Sequence, residues 1–165
     1  MLGGKTLEPI IRKTGINLIT LGSGVILFGL WTLVKFLLTI VFADKNDTDY
    51  AAFFSLSAWV LTLIEFSLRC YIGFSARSEG QGKRKGVLYL VITSIIIFFY
   101  FAIIALEIAI LFISPEYIFY VIIALIIDST STIFLIELMI NSVRLRRLRK
   151  QTVEHSEHPN NSVLS

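Results

Sequence analysis

Six ionisable side chains lie within otherwise apolar stretches of this sequence, and their types and spacing are the ones that could do chemistry: Lys35, Glu65, Arg69, Glu107, Asp128 and Glu137. A charged group near the middle of a bilayer costs about 2.5–3.5 kcal/mol on insertion scales. Such residues therefore pair with one another, line a polar path, or bind protons or cations. Glu65 and Arg69 are spaced i, i+4, which sets them side by side on one helical face. Counted from the ends of their stretches, Lys35 and Glu107 fall at similar depth, and so do Arg69 and Glu137. Two cross-bundle pairs are thus expected, Lys35–Glu107 and Arg69–Glu137, with Glu65 the safer partner for Arg69. Four acids against two bases leave the interior at 2 − 4 = −2, so at least one acid is expected to be protonated, hydrated or cation-bound.

Asp128 is the acid expected to lack a cationic partner. It is followed by Ser129-Thr130-Ser131-Thr132, hydroxyls rather than a base. It is expected to face the interior and to be hydrogen-bonded by Ser131, Thr132 or a hydroxyl from another helix. Glu137 comes nine residues later, and at about 100° per residue it points nearly the opposite way. One of these two faces is then free to look away from the bundle centre. Glu137 is expected to snorkel to the inner interface, with cover by a second copy or another membrane protein as the other arrangement.

Other chemistry is poorly supported. No histidine lies in any apolar stretch and only one intramembrane aspartate is present, which excludes serine–histidine and two-aspartate membrane proteases. Gly80-Gln81-Gly82-Lys83 lacks the earlier glycine of a phosphate loop and has Arg84 where Ser or Thr is required, so it reads as a cytoplasmic turn. His155 and His158 read as part of a solvated tail, and the single Cys70 excludes an internal disulfide. No catalytic residue, metal site, cofactor or nucleic-acid partner is expected, and the chain is read as a non-enzyme.

The elements that must position the six charges are four apolar blocks, roughly 16–42, 51–74, 86–113 and 117–143, in a chain that is 55% hydrophobic. Each exceeds the roughly 20 residues that carry a helix across a core of about 30 Å, and none alternates as a barrel strand would. The stretch ending Val41-Phe42-Ala43 is too long for a cleaved signal and carries Lys35, so it is read as a retained span. The expected fold is all-α, an up-down bundle of four transmembrane helices with short loops. A cytoplasmic segment, 1–15, precedes the membrane domain, 16–143, and a basic and then disordered tail, 144–165, follows it.

Small and polar residues recur on one stripe in three of the helices. These are Asn17, Thr20, Gly24, Phe28, Trp31 and Lys35 in the first, Ala51, Ser55, Ala58, Thr62, Glu65 and Arg69 in the second, and Gly86, Thr93, Tyr100 and Glu107 in the third. Small residues let helices approach closely in lipid, so these stripes are expected to point into a shared interior.

Of 15 basic residues, 12 lie at three sites: Lys5, Arg12 and Lys13 before the first span; Arg77, Lys83, Arg84 and Lys85 after the second; and Arg144, Arg146, Arg147, Arg149 and Lys150 after the fourth. Basic excess marks the cytoplasmic side, giving N-in and C-in, most simply in the plasma membrane. Tyr50, Tyr117 and Tyr120 at outer ends, with Tyr71 and Tyr89 at inner ends, match interfacial aromatic belts. Lys83, Arg84, Lys85 and the run from Arg144 to Lys150 are expected to touch anionic headgroups. Four short spans with a membrane carboxylate resemble the small multidrug-resistance transporters in architecture. Those carry their glutamate in the first helix, where this chain has Lys35, and no residue or activity transfers. The leading functional expectation is a structural, accessory or interaction component of the membrane, and the alternative is a small proton- or cation-coupled transporter or channel.

Overall fold

The computed structural model describes residues 3–42, 49–83, 85–113 and 118–157. They form four helices: α1 (Gly3–Phe42), α2 (Asp49–Gly80), α3 (Leu88–Ile113) and α4 (Ile118–Glu157). Among the described residues there is no strand, and each helix contains a stretch long and apolar enough to cross a membrane. Sequence neighbours run antiparallel: Gly15 meets Gly80 while Gly22 meets Gly73, and Tyr89 reaches Ser142 on α4. The helices form a ring in which α1 packs on α2 and α4, α3 packs mainly on α4, and α1 and α3 stand diagonally.

The tightest seam joins α1 to α2. Gly15, Gly22 and Gly29 recur every seven residues on α1, opposite Gly80, Gly73 and Arg69. A Cβ at Gly73 would sit 2.5 Å from the Gly22 carbonyl oxygen, and one at Gly22 would sit 2.7 Å from that of Gly73. The two backbones therefore touch, and dispersion between them replaces the side-chain interdigitation of wider crossings. Gly73→Ala is expected to force the helices apart at a cost of about 1–3 kcal/mol. Gly86→Ala, whose Cβ would meet nothing closer than 4.0 Å, is expected to cost little by comparison. Unfolding of the two variants in mixed micelles, followed by helical circular dichroism, compares them directly.

This seam corrects the expectation for α1. Among its described side chains, Thr14, Gly15, Leu18, Leu21, Gly22, Val25 and Gly29 are buried, whereas Asn17, Thr20 and Trp31 are exposed. The 3-4 spacing of the expected stripe is real, but its described residues lie outside the α1–α2 seam, with Gly24 and Phe28 half-buried against Phe134 of α4. Glycine fixed the inward face because only glycine permits backbone contact with α2. On α2 and α3 part of each expected stripe turns inward: Arg69, Thr93 and Tyr100 are buried and Ala58, Thr62, Glu65 and Glu107 half-buried, whereas Gly86 is exposed ahead of α3 and the side chains of Ala51 and Ser55 lie outside the described residues.

Three helices extend beyond the apolar blocks. α1 starts at Gly3, α2 continues to Gly80, and α4 runs through the stretch expected to be disordered as far as Glu157. Hydropathy marks where a span leaves hydrocarbon, not where a helix ends. α4 keeps its inward stripe through Leu135, Leu138, Ser142 and Leu145, all fully buried. The Gly80–Lys83 turn is a helix cap. Lys83 N–H bonds Ser78 O at 3.0 Å and Gly82 N–H bonds Glu79 O at 3.1 Å, with Gly82 at φ +97°. This is a Schellman motif, and it needs a residue able to take positive φ at Gly82.

Candidate functional site: two polar layers inside the bundle

The stripe of α2 carries Glu65, Arg69, Ile72, Ala76 and Glu79 at 4-3-4-3 spacing, so two buried charges, Arg69 and Glu79, enter the bundle about three turns apart. Each builds a polar layer with a tyrosine from α3 and a serine from α4.

In the first layer Arg69 is 1% exposed. Its Nε donates to Glu65 Oε1 at 3.0 Å and its Nη1 to Ser131 Oγ at 2.8 Å, and Nη2 donates to the Tyr100 hydroxyl. Tyr100 in turn donates to Glu65 Oε1. The guanidinium carbon lies 5.0 Å from the centre of the Tyr100 ring, close enough for a cation–π contribution. One cation thus joins three helices, and the planar fork of donors explains why arginine rather than lysine holds this place.

The second layer centres on Glu79, also buried. Arg146 grips its carboxylate with two bonds, of 2.6 and 2.9 Å. Tyr89 donates to the same carboxylate and stands 2.9 Å from Ser142 Oγ. Arg149 donates to the Glu79 carbonyl at 2.8 Å, and Arg146 also reaches the carbonyls of Lys85 and Gly86. The Glu79 carboxylate and carbonyl together tie the end of α2 to α3, to α4 and to the turn between α2 and α3.

The layers repeat one plan. Tyr89 and Tyr100 are eleven residues apart, as are Ser131 and Ser142, which is about 16 Å along a helix. Between them lie Ile72, Ala76, Ile96, Ile97, Leu135 and Leu138, all buried. Thr93, fully buried in this zone, returns its hydroxyl to the Tyr89 carbonyl at 2.7 Å.

The remaining expected residues separate from these layers. Asp128 is half-buried, and its carboxylate makes no hydrogen bond or ion pair among the described residues. The hydroxyls expected to hold it are engaged elsewhere: Thr132 donates to the Asp128 backbone carbonyl at 2.7 Å, as helical threonines do at i−4, and Ser131 receives Arg69. Glu137 is exposed and is not the partner of Arg69, whose donors are taken by Glu65, Tyr100 and Ser131. Glu107 is half-buried on α3, while the side chain of Lys35, and with it the Lys35–Glu107 pair, lies outside the described residues.

Of the residues assigned to headgroups, Lys83, Lys85, Arg144, Arg147 and Lys150 are exposed, and Arg84 lies outside the described residues. Arg146 and Arg149 turn inward to Glu79. The tyrosines Tyr50, Tyr117 and Tyr120 and the histidines His155 and His158 likewise have no described side chain. No cluster of metal-ligating side chains occurs among the described residues.

Sequence reading missed Glu79 because hydropathy ends the second apolar block at Phe74. Continuing the 3-4 stripe past Arg69 would have reached it.

Comparison of the chain with family models, curated proteins and solved structures gave no match.

Proposed function

We propose that the chain is a four-pass protein of the plasma membrane, with both ends cytoplasmic, that acts as a non-enzymatic structural, accessory or interaction component. The observation that carries this reading is the neutralisation, within the chain itself, of the two charged residues buried among those described, Arg69 and Glu79. Glu65 is matched to Arg69, and Glu79 to Arg146, each set spanning three helices. The apolar zone between the layers favours a brace over a conduit, because an ion crossing it would lose its polar partners for several turns. The orientation rests on the distribution of basic residues, which the fold brings to one end: Lys83, Lys85, Arg144, Arg147 and Lys150 project around the second layer. A reporter fused after Arg149 is expected to be cytoplasmic and one inserted at Asn46 external. Both tags on one side would overturn the four-span arrangement.

One observation favours the second reading, a proton- or cation-coupled transporter or channel. Asp128 is a half-buried acid with no hydrogen bond or ion pair among the described residues, close enough to Tyr100 to act on it electrostatically. Liposomes holding the purified chain separate the two readings. The brace reading expects no proton or cation flux above that of empty vesicles, whereas pH-dependent flux abolished by Asp128→Asn in a folded protein would establish transport.

A further inference from the structure

The outer side of α1, round to its edge with α4, carries two hollows one turn apart. Near the helix start, Arg12 and Lys13 border a hollow of about 560 Å³ that also includes Glu8 and ends at Asn17. One turn further, Thr20 opens an apolar groove of about 620 Å³ that runs past Gly24 and Leu27 to Trp31, with Ile127 and Phe134 of α4 along its other side. The groove has a built shape. A Cβ at Gly24 would come within 2.8 Å of the Phe134 ring, so the glycine lets that ring lie against α1. Phe28 meets Phe134 edge-on at 5.2 Å between ring centres and fixes the wall.

We propose that this face binds one anionic glycerophospholipid, with its phosphate at Arg12 and Lys13 and one acyl chain lying in the groove against Phe134. The site rests on the membrane-spanning reading above. Charge complementarity selects the occupant: the first hollow carries two cations against the single acid Glu8, and the groove one turn beyond it is almost wholly apolar. Its length agrees. From Thr20 to Trp31 the helix rises about 17 Å, close to half of a hydrocarbon core of about 30 Å and thus about one leaflet deep.

The test uses the full chain purified into mixed micelles containing equal amounts of phosphatidylglycerol and phosphatidylcholine, with the lipids retained per chain counted by native mass spectrometry. Preferential retention of one phosphatidylglycerol is expected. Arg12→Gln with Lys13→Gln should lower that preference by about fivefold for each charge removed. Thr20→Phe, which fills the groove from an exposed position, should abolish retention. Leu61→Phe, at an exposed position on α2 outside the groove, should leave it unchanged. Equal retention of the two lipids, or a preference that survives both the charge and the Thr20→Phe variants, overturns the proposal. So does a pair of chains that Thr20→Phe separates, which would make the occupant a second copy. Washing membranes in alkaline carbonate tests the underlying reading independently: a chain released by the wash would sink the membrane assignment, whereas a retained chain without lipid preference sinks only the lipid site.

Discussion

Arg69→Met is expected to destabilise the bundle by about 3 kcal/mol or more, a larger effect than that of any glycine substitution along the α1–α2 seam. Methionine fills much of the same volume, so the loss would not be one of packing. It arises because three groups are stranded together. Glu65 loses its counter-charge, while Tyr100 and Ser131 lose the donor that satisfies their oxygens. Stranding a charge costs more than removing the whole pair. Glu65→Gln combined with Arg69→Met is therefore expected to be markedly more stable than Arg69→Met alone. A double-mutant cycle on unfolding midpoints in mixed micelles measures the coupling. If Arg69→Met unfolds no more readily than the native chain, or if the second substitution adds to the damage, the brace is not what holds α2, α3 and α4 together.

The number of helices and their antiparallel order were legible in the sequence because hydrocarbon thickness leaves few alternatives for four apolar blocks of this length. The pairing of Glu65 with Arg69 was legible because i, i+4 spacing is local geometry. The inward face of α1 was not. Asn17, Thr20 and Gly24 are polar or small and so look like an interior stripe, yet Gly15, Gly22 and Gly29 repeat at the same period and won the interface. Two periodic stripes on one helix cannot be ranked without the partner surface, and here the partner offered Gly73 and Gly80 at the matching interval.

Asp128 shows a different limit. Its hydroxyl neighbours at i+3 and i+4 suggest hydrogen bonds to the carboxylate, but a helical threonine finds the backbone carbonyl four residues earlier first. Which of two acceptors on the same residue a hydroxyl takes is decided by rotamer, and rotamers are not written in spacing. Arg146 and Arg149 look like headgroup contacts in the sequence because they lie in a run of basic residues. The run hides two faces. Arg144 and Arg147 look outward, while Arg146 and Arg149 follow Leu145 inward to an acid that hydropathy assigns to a loop.

That acid gives the second large effect. Arg146→Met is expected to cost about 2–3 kcal/mol, more than Glu79→Ala, although the two residues form one ion pair. The asymmetry follows from what each removal leaves behind. Without Arg146, the buried Glu79 carboxylate has no counter-charge and keeps only the Tyr89 hydroxyl, since Arg149 reaches the neighbouring carbonyl and not the carboxylate. Without the Glu79 side chain, Arg146 and Tyr89 lose their shared acceptor together. Arg146 is 27% exposed and recovers part of its loss from water, which keeps the cost below that of stranding the buried carboxylate. The damage should be local. Amide hydrogen exchange should accelerate from Gly80 to Leu88 and from Leu145 to Lys150, where the bonds of the second layer converge. Exchange around Arg69 and Ser131 should change little, because Ile72, Ala76, Leu135 and Leu138 still pack between the layers. Equal losses for Glu79→Ala and Arg146→Met would reduce the layer to a simple ion pair. Faster exchange at both layers in Glu79→Ala would show instead that the bundle opens as one unit, with the apolar zone giving no insulation.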